Sequence, residues 1–311
     1  MSKRRFELPD ELKFISNSRL PQKKSGESVE GKTCVITGAT SGVGYQAAIR
    51  LAKGGARIVM IARNQEKAEA LCEELRSLSP YAPHYYQADF TRLSEVRQAA
   101  EAILNDYPRI DILINDAGVH MTTRVLTEEG HETAFCVNHL ASFLLTGLLL
   151  KRMIDSAPSR IIQVNSEGHR FNGLKPDDLN WGKRRYRGLK GYGASKTAQL
   201  MTVWEFNDLL KGTGVTINAM HPGAVKSNIG HNNGRLYNLY SRLLVQPLLK
   251  NPGISGEAIY YLASSPELDG VSGKFFNLTN EEIPAPHAMN RELGKRIFGI
   301  SKELTQLDEE I

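Results

Sequence analysis

This chain has little cysteine, no long apolar run and no repeated or low-complexity segment, and each scarcity narrows what it can be. Its three cysteines, Cys34, Cys72 and Cys136, are odd in number and form no C-x-x-C. That fits a reducing compartment and argues against a disulfide framework or a zinc knuckle, so each is expected to be a buried, inert thiol. His131, Cys136 and His139 crowd together in GHETAFCVNH without further ligands nearby, and no metal site is read there. The longest apolar stretch, Leu140 to Leu150, carries Ser142, Thr146 and Gly147 and falls short of the roughly 18 residues of a membrane span. The N-terminus MSKRRFELPDELKF starts basic, but no apolar stretch of about 7 to 15 residues follows, so no secretory signal is read and a cytoplasmic location is expected. The net charge of +5 is spread along the chain, which gives no reason to expect a nucleic-acid partner.

What is present is alternation. The 311 residues, 41% hydrophobic and 23% charged, suit one large soluble domain. Residues 1–30 are polar, with Pro9, Pro21 and QKKSGES, and read as an arm before a domain beginning near Gly31 and running to about residue 285. TCVITG (33–38), ARIVMIA (56–62), IDILIND (110–116), RIIQVNS (160–166) and VTINAM (215–220) read as strands buried on both faces; HYYQADF (84–90) is weaker and GKFFNLT (273–279) a plausible last strand. Between them, Gln65 to Ser77 and Glu95 to Asp106 have helical periodicity, and residues 286–311 read as a helical extension. Strands alternating with helices predict an α/β fold, a doubly wound parallel sheet in a single domain.

The segment TGATSGVGYQAAIRLAKGGA (37–56) leaves a strand, passes Gly38, Gly42 and Gly44 and enters a helix. Such glycines allow a tight turn and close backbone approach, and the helix N-terminus offers unpaired N–H groups to a pyrophosphate. At the end of the second strand an acidic side chain would bind a ribose 2′-hydroxyl, whereas arginine would attract a 2′-phosphate. Arg63 stands there, with Lys67 one turn on, which favours NADP(H) over NAD(H).

YRGLKGYGASK (186–196) holds a tyrosine four residues before a lysine twice, Tyr186 with Lys190 and Tyr192 with Lys196. With 11 tyrosines and 18 lysines in the chain, about 0.6 such pairs arise by chance, so spacing alone decides nothing. The pair meets on one face only where the backbone is helical. Gly188 and Gly191 are expected to disfavour a helix around Tyr186, while Tyr192 leads into ASKTAQLMTVWEFNDLLKG, a helical pattern closed by Gly212. Tyr192 and Lys196 are therefore the candidates. A free phenol has a pKa of about 10, and an adjacent ammonium brings it toward neutrality. Ser166, at the end of RIIQVNS, lies at the strand edge where open α/β sheets bind ligands and can share a developing oxyanion.

With TGATSGVG, NDAG (115–118), CVNHLASFLLT (136–146), RIIQVNS, YGASK and HPGAVKS (221–227) in order, the chain resembles the short-chain dehydrogenases/reductases across roughly residues 31 to 280. The resemblance implies Tyr192 as acid/base, Ser166 polarising a carbonyl, Lys196 lowering the tyrosine pKa and holding the nicotinamide ribose, and Asn138 supporting a water-linked relay through Lys196. It implies cofactor contacts at Thr40, Ser41 and Val43 within the glycine loop, at Asn64 beside Arg63, and at Asp89 and Phe90 for the adenine. Asn115, Ala117 and Gly118 would pass beneath the cofactor, and Pro222, Gly223 and Val225 would line its nicotinamide side. One departure is Asp116, where the family commonly has asparagine; it loses amide donors that help bind neighbouring strands.

Ser166 and Tyr192 are 26 apart, and the insertion EGHRFNGLKPDDLNWGKRRYRGLKG resembles the retinol dehydrogenase and WW-domain oxidoreductase-like branch. That implies NADP(H)-dependent interconversion of lipophilic alcohols and carbonyls, retinoid-, steroid- or aliphatic-like. Two rival readings are a dinucleotide-sensing protein without the reaction and a protochlorophyllide-type double-bond reductase. Within about 228–252, Leu236, Leu239, Leu243, Leu244 and Leu248 alternate with Arg235, Tyr237, Tyr240 and Arg242, which suggests an amphipathic lid, with peripheral membrane contact and a homo-oligomer left open. The cluster Lys183, Arg184, Arg185, Arg187 and Lys190 reads as a solvated loop.

Overall fold

A computed structural model describes residues 20–225, 229 and 251–307. Among the described residues, eight strands form one sheet in the order β3-β2-β1-β4-β5-β6-β7-β8. These are β1 Thr33–Thr37, β2 Arg57–Ala62, β3 His84–Gln87, β4 Ile112–Asn115, β5 Ser159–Val164, β6 Val215–His221, β7 Phe275–Asn277 and β8 Asn280–Glu281. The first seven are parallel and fall on the seven segments read as strands; β8, which the sequence did not announce, returns antiparallel on β7.

Successive strand side chains point to opposite faces, so a strand buried on both sides reads as a continuous apolar run. Val35, Val59, Ile61 and Leu113 face one core, which also holds residues of α3 (Leu93–Asp106), α4 (Thr133–Asp155), α5 (Gly188–Leu209) and α7 (Arg291–Thr305). Cys34, Ile36, Ile58, Met60, Ile112 and Ile114 face the other, with α1 (Gly42–Lys53), α2 (Gln65–Arg76) and α6 (Gly253–Ser264). The three cysteines are buried and unbridged.

Helix α4 is long and apolar enough to cross a membrane, but 89% of its apolar window is buried inside the protein, which makes it a core helix. It contains a π turn over Cys136–Leu140. The C-terminal helix α7 closes the first core, with Phe298 edge-on to Phe143 and Phe206. Residues 20–30 pack on the domain: Val29 is fully buried, and the Lys23 backbone N–H donates to Thr279. Residues 1–19 lie outside the described residues, as does the lid read over about 228–252, apart from Ile229, Asn251 and Pro252.

One expectation about the helices is corrected. Gly188 and Gly191 do not stop a helix; α5 begins at Gly188 and contains both. Each is needed for close approach. A Cβ at Gly188 would stand 2.6 Å from the Met121 carbonyl oxygen, and one at Gly191 would stand 2.5 Å from the Tyr186 hydroxyl. The packing gained by small size outweighs the roughly 1 kcal/mol propensity cost of glycine. Tyr186 still lies outside the helix, two residues before its first turn.

Candidate active site

Strands β1 and β4 are neighbours in the sheet although β2 and β3 intervene in sequence, so their C-terminal ends form the switch point where α/β sheets leave a crevice. Gly38 follows β1 with φ +72°, and a Cβ there would come within 2.9 Å of the Ala117 backbone. Gly42 also has positive φ, and a Cβ at Gly44 would meet the Gly38 carbonyl at 2.6 Å. Thr40 and Val43 complete the turn. Ser41 caps α1 without spending its side chain, and the first turn of α1 holds no acidic residue. The cradle is bare backbone at the positive end of a helix, which fits a dinucleotide pyrophosphate.

At the end of β2, the Arg63 and Lys67 side chains are exposed on the same rim. Asn64 is the N-cap of α2, and its side chain accepts from the Lys67 backbone at 2.8 Å. Asp89 accepts from both the backbone and the hydroxyl of Thr91 at 2.9 Å, and Phe90 packs into the core. Asn115 spends its amide on Thr146 (2.9 Å) and Gln163 (2.8 Å), so its side chain ties β4 to α4 and β5 and does not face the crevice through those donors. Ala117 and Gly118 follow at the rim, where the Ala117 and Asp116 backbone N–H groups both donate to Thr37 Oγ1. On the far side, Gly223 has φ +86°, Pro222 accepts from Ser255, and Val225 is buried.

Asp116 keeps a tie to its surroundings by the opposite polarity from an amide donor. Its carboxyl accepts from the Gly44 backbone, while burial pushes its pKa up to about 7 against the pull of Lys196 and that hydrogen bond.

The four expected catalytic positions converge. Ser166 ends the β5 run and caps a 3-10 turn, accepting from the Gly168 N–H at 2.9 Å. Its hydrogen bond to Tyr192 lowers the phenol, but burial, the larger effect, and Asp116 leave Tyr192 at about 12. Gly168 is a floor under this pair: a Cβ there would lie 2.4 Å from the Tyr192 ring. Lys196, one turn on from Tyr192 and 3% exposed, donates to the Val164 carbonyl at 2.9 Å and to Gln199 Oε1 at 3.1 Å. Burial brings its pKa down to about 8, opposed by Asp116. The phenol thus stands above its ordinary value in this structure, and the ammonium is turned to Val164 and Gln199.

Asn138 lies in the π turn of α4, its side chain clamped to Val119 by a 2.7 Å bond from the Val119 N–H and a 3.0 Å bond to the Val119 carbonyl. Its own carbonyl accepts from Gln199 Nε2 at 2.8 Å. Gln199, Gly168 and His120, whose ring stands edge-on to Tyr192 at 5.7 Å, were not singled out from the sequence. For Gln199 the available signal was its place one helical turn beyond Lys196 on a buried face. Of the basic cluster, Arg184 stacks on Trp181 and pairs with Asp178, while Lys183, Arg185, Arg187 and Lys190 are exposed.

A family model described as short chain dehydrogenase matches residues 32–237. The chain is 37% identical over 302 residues to retinol dehydrogenase 13 of Homo sapiens, covering 95% of this chain and 90% of that protein. It is 36% identical to retinol dehydrogenase 14 of Homo sapiens, covering 90% of this chain and 88% of that one. Among solved structures, a 3-ketoacyl-(acyl-carrier-protein) reductase from Brucella melitensis complexed with NADH superposes with a TM-score of 0.60 at 26% identity, covering 80% of this chain and 97% of that chain.

Proposed function

This chain belongs to the short-chain dehydrogenase family, in its retinol dehydrogenase-like branch, as an oxidoreductase with a nicotinamide cofactor, and from that premise we propose that it is an NADP(H)-dependent reductase or dehydrogenase of lipophilic carbonyls and alcohols. The observation that carries the reading is the meeting of Ser166, Tyr192 and Lys196 beside a glycine cradle at the β1/β4 switch point. When bound, the nicotinamide supplies or accepts the hydride. The glycine loop from Gly38 to Gly44 would hold the pyrophosphate, and Lys196 the nicotinamide ribose.

The chain's own residues then manage the proton and the charge. Ser166 donates a hydrogen bond to a substrate oxygen and, with Tyr192, stabilises negative charge developing there. In reduction the Tyr192 hydroxyl gives its proton to that oxygen; in oxidation its phenolate takes the proton back. With its pKa at about 12, Tyr192 is almost wholly protonated at neutrality, and the nearby Lys196 cation would favour the phenolate during turnover. Arg63 and Lys67, exposed where the second strand ends, support a 2′-phosphate and hence NADP(H). The lipophilic substrate class is supported by the retinol dehydrogenase names of the relatives.

The test is nicotinamide fluorescence on titration with NADPH and NADH, for wild type and Arg63→Ala, followed by turnover of lipophilic aldehydes and ketones, retinal among them. Preference for NADPH that collapses in the variant is expected. Preference for NADH would overturn the assignment of Arg63, and turnover undiminished in Tyr192→Phe would overturn the mechanism.

A further inference from the structure

Gln199 is 1% exposed and saturated with partners. Its Oε1 accepts from Lys196 Nζ at 3.1 Å and from Asn165 Nδ2 at 2.9 Å, and its Nε2 donates to the Asn138 carbonyl at 2.8 Å and more weakly to Ser142 Oγ at 3.4 Å. Each partner is itself anchored. Asn165 Nδ2 also donates to the Lys196 carbonyl at 2.9 Å, and Asn165 Oδ1 accepts from the Ser166 N–H at 2.8 Å. Ser142 accepts from Gln163 Nε2 at 2.9 Å, and Gln163 accepts from Asn115 at 2.8 Å. One buried amide therefore joins the serine end of β5, the π turn of α4 and the lysine of α5.

We propose that Gln199 is the positioning residue that fixes the Lys196 ammonium, its side-chain amide held between Lys196, Asn165 and the Asn138 carbonyl. This deepens the reading of the same site as an oxidoreductase centre and rests on it. An ammonium has three donors. Val164 and Gln199 engage two of them from the core side, which orients the remaining N–H away from the core. A neutral acceptor also offsets part of the cost of burying a charge, so it keeps Lys196 cationic without neutralising it as a carboxylate would. The link from Lys196 to Asn138 here runs through an amide. An amide Nε2 donates but does not accept, so it orients the lysine and does not pass a proton onward to the Asn138 carbonyl.

The ionisable group acting on this ammonium is Asp116, from the β4 side; Tyr192 lies one turn away on the same helix, with His120 edge-on to it. The β5 and α4 contacts described above are neutral: Asn165, Ser166, Asn138 and Ser142.

The experiment follows the Lys196 side chain directly. Protein labelled with 13C at lysine Cε is titrated by NMR, and the Lys196 signal is assigned by its loss in Lys196→Arg. Gln199→Met keeps the volume and removes the acceptor; its Lys196 midpoint is expected to fall by about half a pH unit or more. Gln199→Glu places a carboxylate in the same position, and its midpoint is expected to rise. With 4-nitrobenzaldehyde and NADPH, kcat of Gln199→Met is expected to fall about tenfold, with KM for the aldehyde nearly unchanged. Midpoints that superimpose on wild type in the folded variants would overturn the inference, as would a loss carried by KM alone. If Gln199→Met does not fold, the upward shift in Gln199→Glu decides. Absence of carbonyl turnover in the wild type would sink the functional reading while the NMR midpoints still judged the Gln199 contact; turnover with superimposable midpoints would sink this inference alone.

Discussion

Two tyrosines, each four residues before a lysine, lie six residues apart in this chain and have opposite surroundings. Tyr186 donates to Glu132 at 3.1 Å and packs edge-on to Trp181, with burial and that carboxylate holding its phenol far above the ordinary value. Its spacing partner Lys190 is exposed. Tyr192 is also raised by burial, to about 12, but its hydroxyl faces Ser166, which pulls the other way, and its partner Lys196 is buried one turn away. A phenol bonded to a carboxylate is locked as a donor and braces a loop. A phenol beside a serine and a buried cation can cycle between donor and acceptor. The residue spacing is the same, and the partners decide the chemistry.

The contrast breaks most sharply under hydroxyl deletion. Tyr192→Phe is expected to lower kcat by about 10³, while Tyr186→Phe leaves kcat within a small factor and costs about 1 to 2 kcal/mol in urea unfolding, because Glu132 loses a buried donor. Equal kinetic losses would erase the distinction. Each tyrosine also rests against a glycine, Gly168 under Tyr192 and Gly191 under Tyr186. Gly168→Ala should displace the Tyr192 ring and reduce kcat about ten- to a hundredfold. Gly191→Ala should appear chiefly in the melting temperature, since overpacking of about 1 to 3 kcal/mol is only partly offset by better helix propensity. A kinetic loss in Gly191→Ala exceeding that in Gly168→Ala would reverse the assignment.

A smaller effect separates Asp116 and Lys196 by pH. Asp116 has its ordinary pKa near 3.8 when unfolded and about 7 when folded. Between those values the folded protein holds a proton that the unfolded chain has released, so its contribution to stability is fully present below about pH 4 and lost as pH rises through 7. Asp116→Asn should flatten that decline in urea melts at pH 5 and pH 8; an unchanged slope would show that the carboxyl is not raised. Lys196 acts in another window: its folded pKa near 8 lies below the ordinary 10.5, so stability rises with pH between those values. The smallest expected effect is that of Lys190→Ala, whose side chain is exposed; kcat should match wild type, and a tenfold loss would restore the first pair as a candidate.

Much of the framework was legible along the chain. Six of the seven parallel strands are visible because strands buried on both faces read as apolar runs, while β3 at the sheet edge, exposed to half-buried, carries only the weaker pattern HYYQ. The glycine loop, Ser166 and the second Tyr–Lys pair are visible because turn geometry and helix spacing are local properties. Two residues of β8 carry too little pattern to announce a strand, and a glycine between helical residues looks like a breaker until its neighbour is known. Gly188 and Gly191 open α5 because the Met121 carbonyl and the Tyr186 ring, brought in by folding, leave no room for a Cβ.

By itself, then, the sequence determined the doubly wound sheet, the crevice at its switch point and the candidate reacting groups, since these follow from hydrophobic period, glycine placement and an i, i+4 pair set in a helical pattern. Tertiary structure alone decided how those groups are charged and aimed. The raised Asp116 and Tyr192, the lowered Lys196 and the amide of Gln199 between α4, α5 and the end of β5 depend on desolvation and on partners distant in sequence. Local pattern carries no information on either, because both arise only when separate elements exclude water from the space between them.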